Sequence, residues 1–177
     1  MRHAWWLNAA LAVVVAALAL FVFLKPGAPD PAGHALTALK AGAARSIRIE
    51  RPGAPAIALE KKGDDWLMTA PLAARANLMR VQLLLAITDA RSEHRFAATD
   101  LDRFGLERPE VRLTINGQSF DFGVVNPVSR EQYVLTGNAV YTVGFRYAAA
   151  LPGGPVDLID TRPLSPPAAP GASTDKK

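Results

Sequence analysis

The chain contains no cysteine in 177 residues. That excludes disulfides, thiolate nucleophiles and cysteine metal sites, but it does not fix a compartment. Histidine is scarce. His3, His34 and His94 are the whole complement, and no two stand at ligand spacing, so no metal is expected. Ser46, Ser92, Ser119 and Ser129 lie in no G-x-S-x-G elbow, so no serine triad is expected. A glycine-rich phosphate loop is lacking too, because Gly153-Gly154 lies between prolines instead of between a strand and a helix. No cofactor is implied. The body of the chain also lacks excess charge of either sign. Two basic residues precede residue 26, and three basic and one acidic residue follow residue 160. Of the 20 basic and 16 acidic residues, 15 of each therefore remain between them. The net charge of +4 is terminal and gives a nucleic-acid partner little support.

Residues 5–24 are the most distinctive stretch present. They contain no charge, and Asn8 is their only strongly polar residue. A helix of that length, at roughly 1.5 Å per residue, spans the ~30 Å hydrocarbon core of a bilayer. Leu11, Leu18, Phe21 and Phe23 are among its apolar residues, and Trp5 and Trp6 stand where an interfacial aromatic belt would be. A cleaved signal peptide is the competing reading. Its cleavage site wants small residues in an A-x-A pattern, but Ala28 would need Pro26 and Ala32 would need Asp30 in the small position. The expectation is an uncleaved single-pass anchor in a bacterial inner membrane. Arg2 and the amino terminus favour the inside, which puts the domain on the periplasmic side.

The organisation that follows is a transmembrane anchor at 1–24, a Pro/Gly-rich tether at 25–44 with a short helical turn near Leu36 and Leu39, a domain at 45–160, and a disordered tail at 161–177. Within the domain Ile47 and Ile49 alternate with Arg48 and Glu50, the period of a half-buried strand. Ile57 and Leu59 continue it after a Pro-Gly turn. Trp66 opens a third strand that Pro71 ends, completing a meander. Asn77 is placed to cap a helix running to about Ala90, with Leu78, Val81, Leu84, Leu85 and Thr88 on its inward stripe. Thr99 or Asp100 caps a single turn over 101–104, which Gly105 stops. Val111, Leu113 and Ile115 alternate into Asn116-Gly117, a strong two-residue hairpin signal. Phe120 and Phe122 return. A further pair of strands turns at Gly137-Asn138, and a short helix follows over 145–151. The expected fold is α+β: a mostly antiparallel sheet made of a meander, a covering helix and a second set of strands.

Chemistry-bearing pairs are few. Asp100 with Asp102 and Asp64 with Asp65 could do acid–base work if one member were buried, but a cap and a turn account for them. Trp66 fits a core better than a ligand platform, and Phe120, Phe122, Tyr133, Tyr141, Phe145 and Tyr147 fit a core better than a partner-binding face.

In combination these residues resemble a known family. Ile47-Arg48-Ile49-Glu50-Arg51, Leu59-Glu60-Lys61, Gly63-Asp64-Asp65-Trp66, Pro71 and the helix over 78–87 all contribute. The most specific run is Asp100-Leu101-Asp102-Arg103-Phe104-Gly105-Leu106-Glu107-Arg108-Pro109. Together they are similar to bacterial membrane-anchored proteins filed as domain of unknown function 4340, over roughly residues 36–160. The resemblance implies an extracytoplasmic domain behind one N-terminal span. Some relatives are encoded beside transporter components, which implies an accessory or assembly role. It supplies no catalytic residue, so Trp66, Pro71, Asp100, Leu101, Phe104, Gly105, Leu106 and Pro109 are expected to be structural. The expected function is non-enzymatic, with the bilayer and an envelope protein as partners. The alternative is a small-ligand or cell-wall glycan binder, or a hydrolase.

Overall fold

The computed structural model describes residues 33–161, together with Leu11, Val14 and Val15. Contacts divide the chain into Met1–Gly33 and His34–Lys177. In the first unit Leu11, Val14 and Val15 are helical and exposed. Among the described residues no helix is long and apolar enough to cross a membrane. The rest of the expected span at 5–24, including Trp5, Trp6, Leu18, Phe21 and Phe23, lies outside the described residues, as does the tail from 162.

The second unit is an α+β domain with a mostly antiparallel sheet and few helices. Its strands are β1 (His34–Ala35), β2 (Ser46–Glu50), β3 (Ile57–Lys62), β4 (Asp65–Ala70), β5 (Ala74–Arg75), β6 (Arg91–Ser92), β7 (Arg95–Ala97), β8 (Val111–Ile115), β9 (Gln118–Val125), β10 (Glu131–Thr136) and β11 (Ala139–Gly144). Nine of them form one sheet in the order β5-β4-β3-β2-β8-β9-β10-β11-β7. Two meanders, β2 to β5 and β8 to β11, therefore meet side by side at the antiparallel β2–β8 pair. Each meander follows a 3-10 turn, Ala41–Ala43 or Leu101–Phe104, and each runs into a helix, Leu78–Leu85 or Arg146–Ala149.

Alternation assigns the faces. Ile47 and Ile49 of β2 stand opposite Ile115 and Leu113 of β8, and opposite Leu59 and Ile57 of β3. These residues share one core with Trp66, Met68, Phe120, Phe122 and Val134, and with Val81, Leu84 and Leu85 of the covering helix. Asn77 starts that helix by accepting from the Met79 and Arg80 amides at 3.0 and 3.3 Å. The helix is shorter than its apolar pattern predicts. It is α-helical over Leu78–Leu85 and continues as a 3-10 turn over Ala86–Asp89. Leu78, expected on the inward stripe, is exposed in the first turn.

The segment expected to be tether up to residue 44 belongs partly to the domain. No helical turn forms near Leu36. His34–Ala35 instead pairs with Arg91–Ser92, and the Leu36 amide reaches the Ala90 carbonyl. That pairing satisfies backbone groups a single isolated turn would leave open, and it places Leu36 and Ala44 in the core. At the other end Leu158 is buried, and Ile159 bridges Ala76 at the sheet edge.

Candidate functional site: the outer face of the sheet

The face turned away from the covering helix has two halves. On β10, β11 and β7 the outward residues are Tyr133, Leu135, Val140 and Phe96. Phe104 and Leu106 close over Val140 to form a second, smaller core, with Leu101, Phe96, Tyr133 and Leu135 packed against it. Rings meet there at centroid distances of 4.8 Å for Phe104–Tyr133 and 5.7 Å for Phe96–Phe104. The run Leu101-Asp102-Arg103-Phe104-Gly105-Leu106 is thus a lid of chain laid across the back of the sheet.

Two glycines let it sit so close. Gly105 ends the 3-10 turn at φ 66°, and a Cβ there would stand 2.5 Å from Val124 Cγ1. Gly123, inside β9, faces the lid directly, and a Cβ there would fall on the Phe104 carbonyl oxygen. The register of β9 against β10 shifts at this point, and Gln132 Nε2 donates to the Gly123 carbonyl at 2.8 Å. Asp100 adopts a left-handed conformation and its side chain makes no capping bond, so neither it nor Thr99 caps the turn as expected. The turn is held instead by backbone bonds, Gly105 N–H to Asp102 and Leu106 N–H to Leu101.

The other half, on β2, β8 and the first part of β9, carries polar and small residues. Glu50, Arg112 and Asp121 lie in one row across three strands. Arg112 makes a forked contact with Asp121, Nε–Oδ1 2.7 Å and Nη2–Oδ2 2.9 Å. Asp121 is buried, whereas about half of the Arg112 side chain is open to solvent. The hydrogen bonds and charge of Asp121, with a smaller contribution from Glu50, hold the Arg112 guanidinium above the ordinary arginine range. Arg48 pairs with Glu50 at 2.9 Å. Where β2 ends and the chain approaches β8, a groove of about 450 Å³ opens, lined by Glu50, Arg51, Pro52, Arg108, Pro109 and Arg112.

The remaining residues singled out in the sequence do not converge on it. Trp66 is buried in the inner core at 4% exposure, and Pro71 follows β4. A shallow depression of about 370 Å³ beside Trp66 carries Asp64 and Asp89, both exposed. Asp65 pairs with Arg75 at 2.9 Å, and Asp100 and Asp102 are exposed. Ser92 is buried and bound to backbone, accepting from the Thr142 and His94 amides. His34 and His94 are exposed, the latter stacked on Phe96. Among the described residues no group of three or more His, Asp or Glu could hold a metal. Sequence reasoning missed the row Glu50, Arg112 and Asp121, because these residues are distant in sequence and only the β2–β8–β9 register unites them. It also missed Gly123, although a lone glycine inside an apolar strand signals close backbone approach.

No curated protein and no solved structure matches the chain. The family model described as domain of unknown function (DUF4340) matches residues 66–170, a stretch that takes in the covering helix, the whole lid and the second meander. The chain belongs to that family.

Proposed function

We propose that this chain is a membrane-anchored, non-enzymatic accessory domain of the bacterial envelope. In this reading residues 5–24 hold it to the inner membrane from the periplasmic side. It works by contacting another envelope protein, such as a transporter complex. The observation that carries the reading is the unequal outer face. One half is sealed by the chain's own lid, and the other is left open as a polar, strand-built surface beside an arginine-rich groove. The hydrolytic alternative needs a buried carboxylate facing a cavity. Asp64, Asp89, Asp100 and Asp102 are exposed, and Asp121 is held by Arg112, so the geometry favours a contact surface. Tethering supports it as well, since confinement to one membrane raises the effective concentration of a weak partner.

A photo-crosslinking amino acid placed at Arg48 in the intact protein, in living cells, tests the proposal. The expected result is a discrete adduct with a membrane or periplasmic protein, absent when the same group replaces Met79 on the covering helix. Equal labelling at both positions, or none at Arg48, would refute it. Carbonate washing of membranes tests the anchor: the intact chain stays in the pellet, and a chain lacking residues 5–24 is released.

A further inference from the structure

We propose that the β7 edge of the sheet is a self-association site, and that its occupant is β7 of a second copy of this chain, paired antiparallel about a two-fold axis. The inference goes beyond the partner contact argued above and does not depend on it.

The two ends of the nine-stranded sheet differ in what they leave open. Beyond β5 the chain guards its own edge. Asp160 N–H donates to the Arg75 carbonyl at 2.9 Å, Ile159 bridges Ala76, and Asn77 N–H donates to the Leu158 carbonyl at 2.7 Å. Beyond β7 there is no such cover among the described residues. Register and alternation identify the groups left over. Thr142 N–H points off β11 to Ser92 Oγ at 3.0 Å. Val140, two residues earlier, points the same way, and Phe96 directly opposite takes up its backbone groups. Arg95 and Ala97 therefore turn their N–H and C=O groups outward, and no hydrogen bond from the described residues reaches them. A recess of about 400 Å³ lies alongside, lined by Arg95, Phe96 and Ala97 with His34, Asn138 and Ala139. An unpaired strand edge is a template for a further strand.

The sequence of β7 is complementary to itself. In a two-fold pair with Phe96 opposite Phe96 of the second copy, Arg95 of each chain faces Ala97 of the other. Every outward N–H of the strand then meets a C=O, and Arg95 does not face a like charge. The half-buried Phe96 ring, already set against Phe104 and Tyr133, gains its counterpart, so the two smaller cores become continuous. The chain before His34 is a poorer occupant, because Pro26, Pro29 and Pro31 lack the N–H that a paired strand gives. Strands of three residues bury far less than the ~1,200–2,000 Å² of a standard interface, so the dimer is weak and concentration-dependent.

Sedimentation of the intact protein in neutral detergent micelles, over a concentration series, provides the first test. A monomer–dimer equilibrium is expected. Ala97→Pro should abolish the dimer and leave the melt close to wild type, because the N–H it removes points away from β11. Ala97→Glu should tighten the dimer by about fivefold, since it sets a carboxylate beside Arg95 of the second copy on both sides of the axis. Ala97→Arg should weaken it by a similar factor. A monomer at every concentration overturns the proposal. So does a dimer that survives Ala97→Pro unchanged, or one that shifts in the same direction in the Glu and Arg variants. The absence of native cysteine allows a second reading. Copper-phenanthroline oxidation of membranes carrying Phe96→Cys should link two copies, because directly opposite residues outside the hydrogen-bonded pairs stand ~4.5 Å apart at Cα. Met79→Cys, exposed on the covering helix, should not link. No link at position 96, or equal linking at both, overturns the proposal. A link from position 96 to a protein of another mass, without the dimer, overturns it too and gives the edge to a foreign strand.

Discussion

The two halves of the outer sheet face are built from the same kind of strand and end in opposite states. On β10 and β11 the outward positions are Tyr133, Leu135 and Val140, and the chain covers them with Phe104 and Leu106. On β2 and β8 the outward positions are Arg48, Glu50, Arg112 and Thr114, of which Arg48 and Arg112 are exposed and Glu50 and Thr114 half-buried. Apolar outward residues demand a lid, because leaving them in water forfeits about 25 cal/mol for every Å² that could be buried. Charged outward residues need none. The comparison therefore separates what the chain spends on its own stability from what it leaves available to others.

Substitutions in the lid should give the largest effects. Phe104 is buried and packs against both Phe96 and Tyr133. Phe104→Ala should cost about 3–5 kcal/mol by opening a cavity in the second core, read as a shifted denaturation midpoint of the intact protein. If instead the loss is under about 1 kcal/mol, the lid is not a structural element and the contrast between the halves collapses. Gly123→Ala comes next, at about 3 kcal/mol. The added methyl group meets a backbone oxygen, which cannot swing aside as a flexible side chain would. The midpoint should fall, and Phe96 and Tyr133 should lose ring-current shifts as the lid lifts.

Much of the fold was legible because period-two alternation is a local signal. Ile47, Ile49, Val111, Leu113 and Ile115 face the inner core as their spacing predicts. Asn116-Gly117 turns the β8–β9 hairpin with positive φ at both residues, 50° and 86°. The lid was legible only as a motif, without a place to go. Its partner surface is spread over β7, β10 and β11, of which only β7 lies near it in sequence, and nothing in residues 101–106 says which face they will cover. One clue was present. Ala139-Val140-Tyr141-Thr142-Val143 is an almost unbroken apolar run, which marks a strand buried on both faces instead of one. The β1–β6 pair was illegible for a different reason. Two-residue strands carry no period at all, so the pairing of His34–Ala35 with Arg91–Ser92 is fixed by the surrounding packing.

A smaller effect is expected at the boundary between the halves, where Asp121 is buried yet belongs to the charged row. Asp121→Asn keeps the size and removes the charge facing Arg112. The expected loss is about 1–2 kcal/mol, less than the full value of a buried pair because the exposed Arg112 can turn to solvent once released. Adding salt should narrow the gap between wild type and variant, since only the wild type carries the ion pair. A gap that widens with salt would mean that packing, not charge, holds Asp121 in place.

The smallest stability change, and the one that decides most about function, belongs to the open half. Arg48 pairs with Glu50, and both side chains are more than two-fifths exposed. Such pairs contribute little, so Arg48→Ala should move the denaturation midpoint by less than about 0.5 kcal/mol. If the open half exists for a partner, that silent substitution should still weaken binding, because an interface counts a side chain that the fold does not need. The measurement is adduct yield from a crosslinking group at Thr114, the neighbouring outward position on β8, with and without Arg48→Ala. A lower yield at unchanged stability assigns the surface to recognition. An unchanged yield at unchanged stability removes Arg48 from the contact surface.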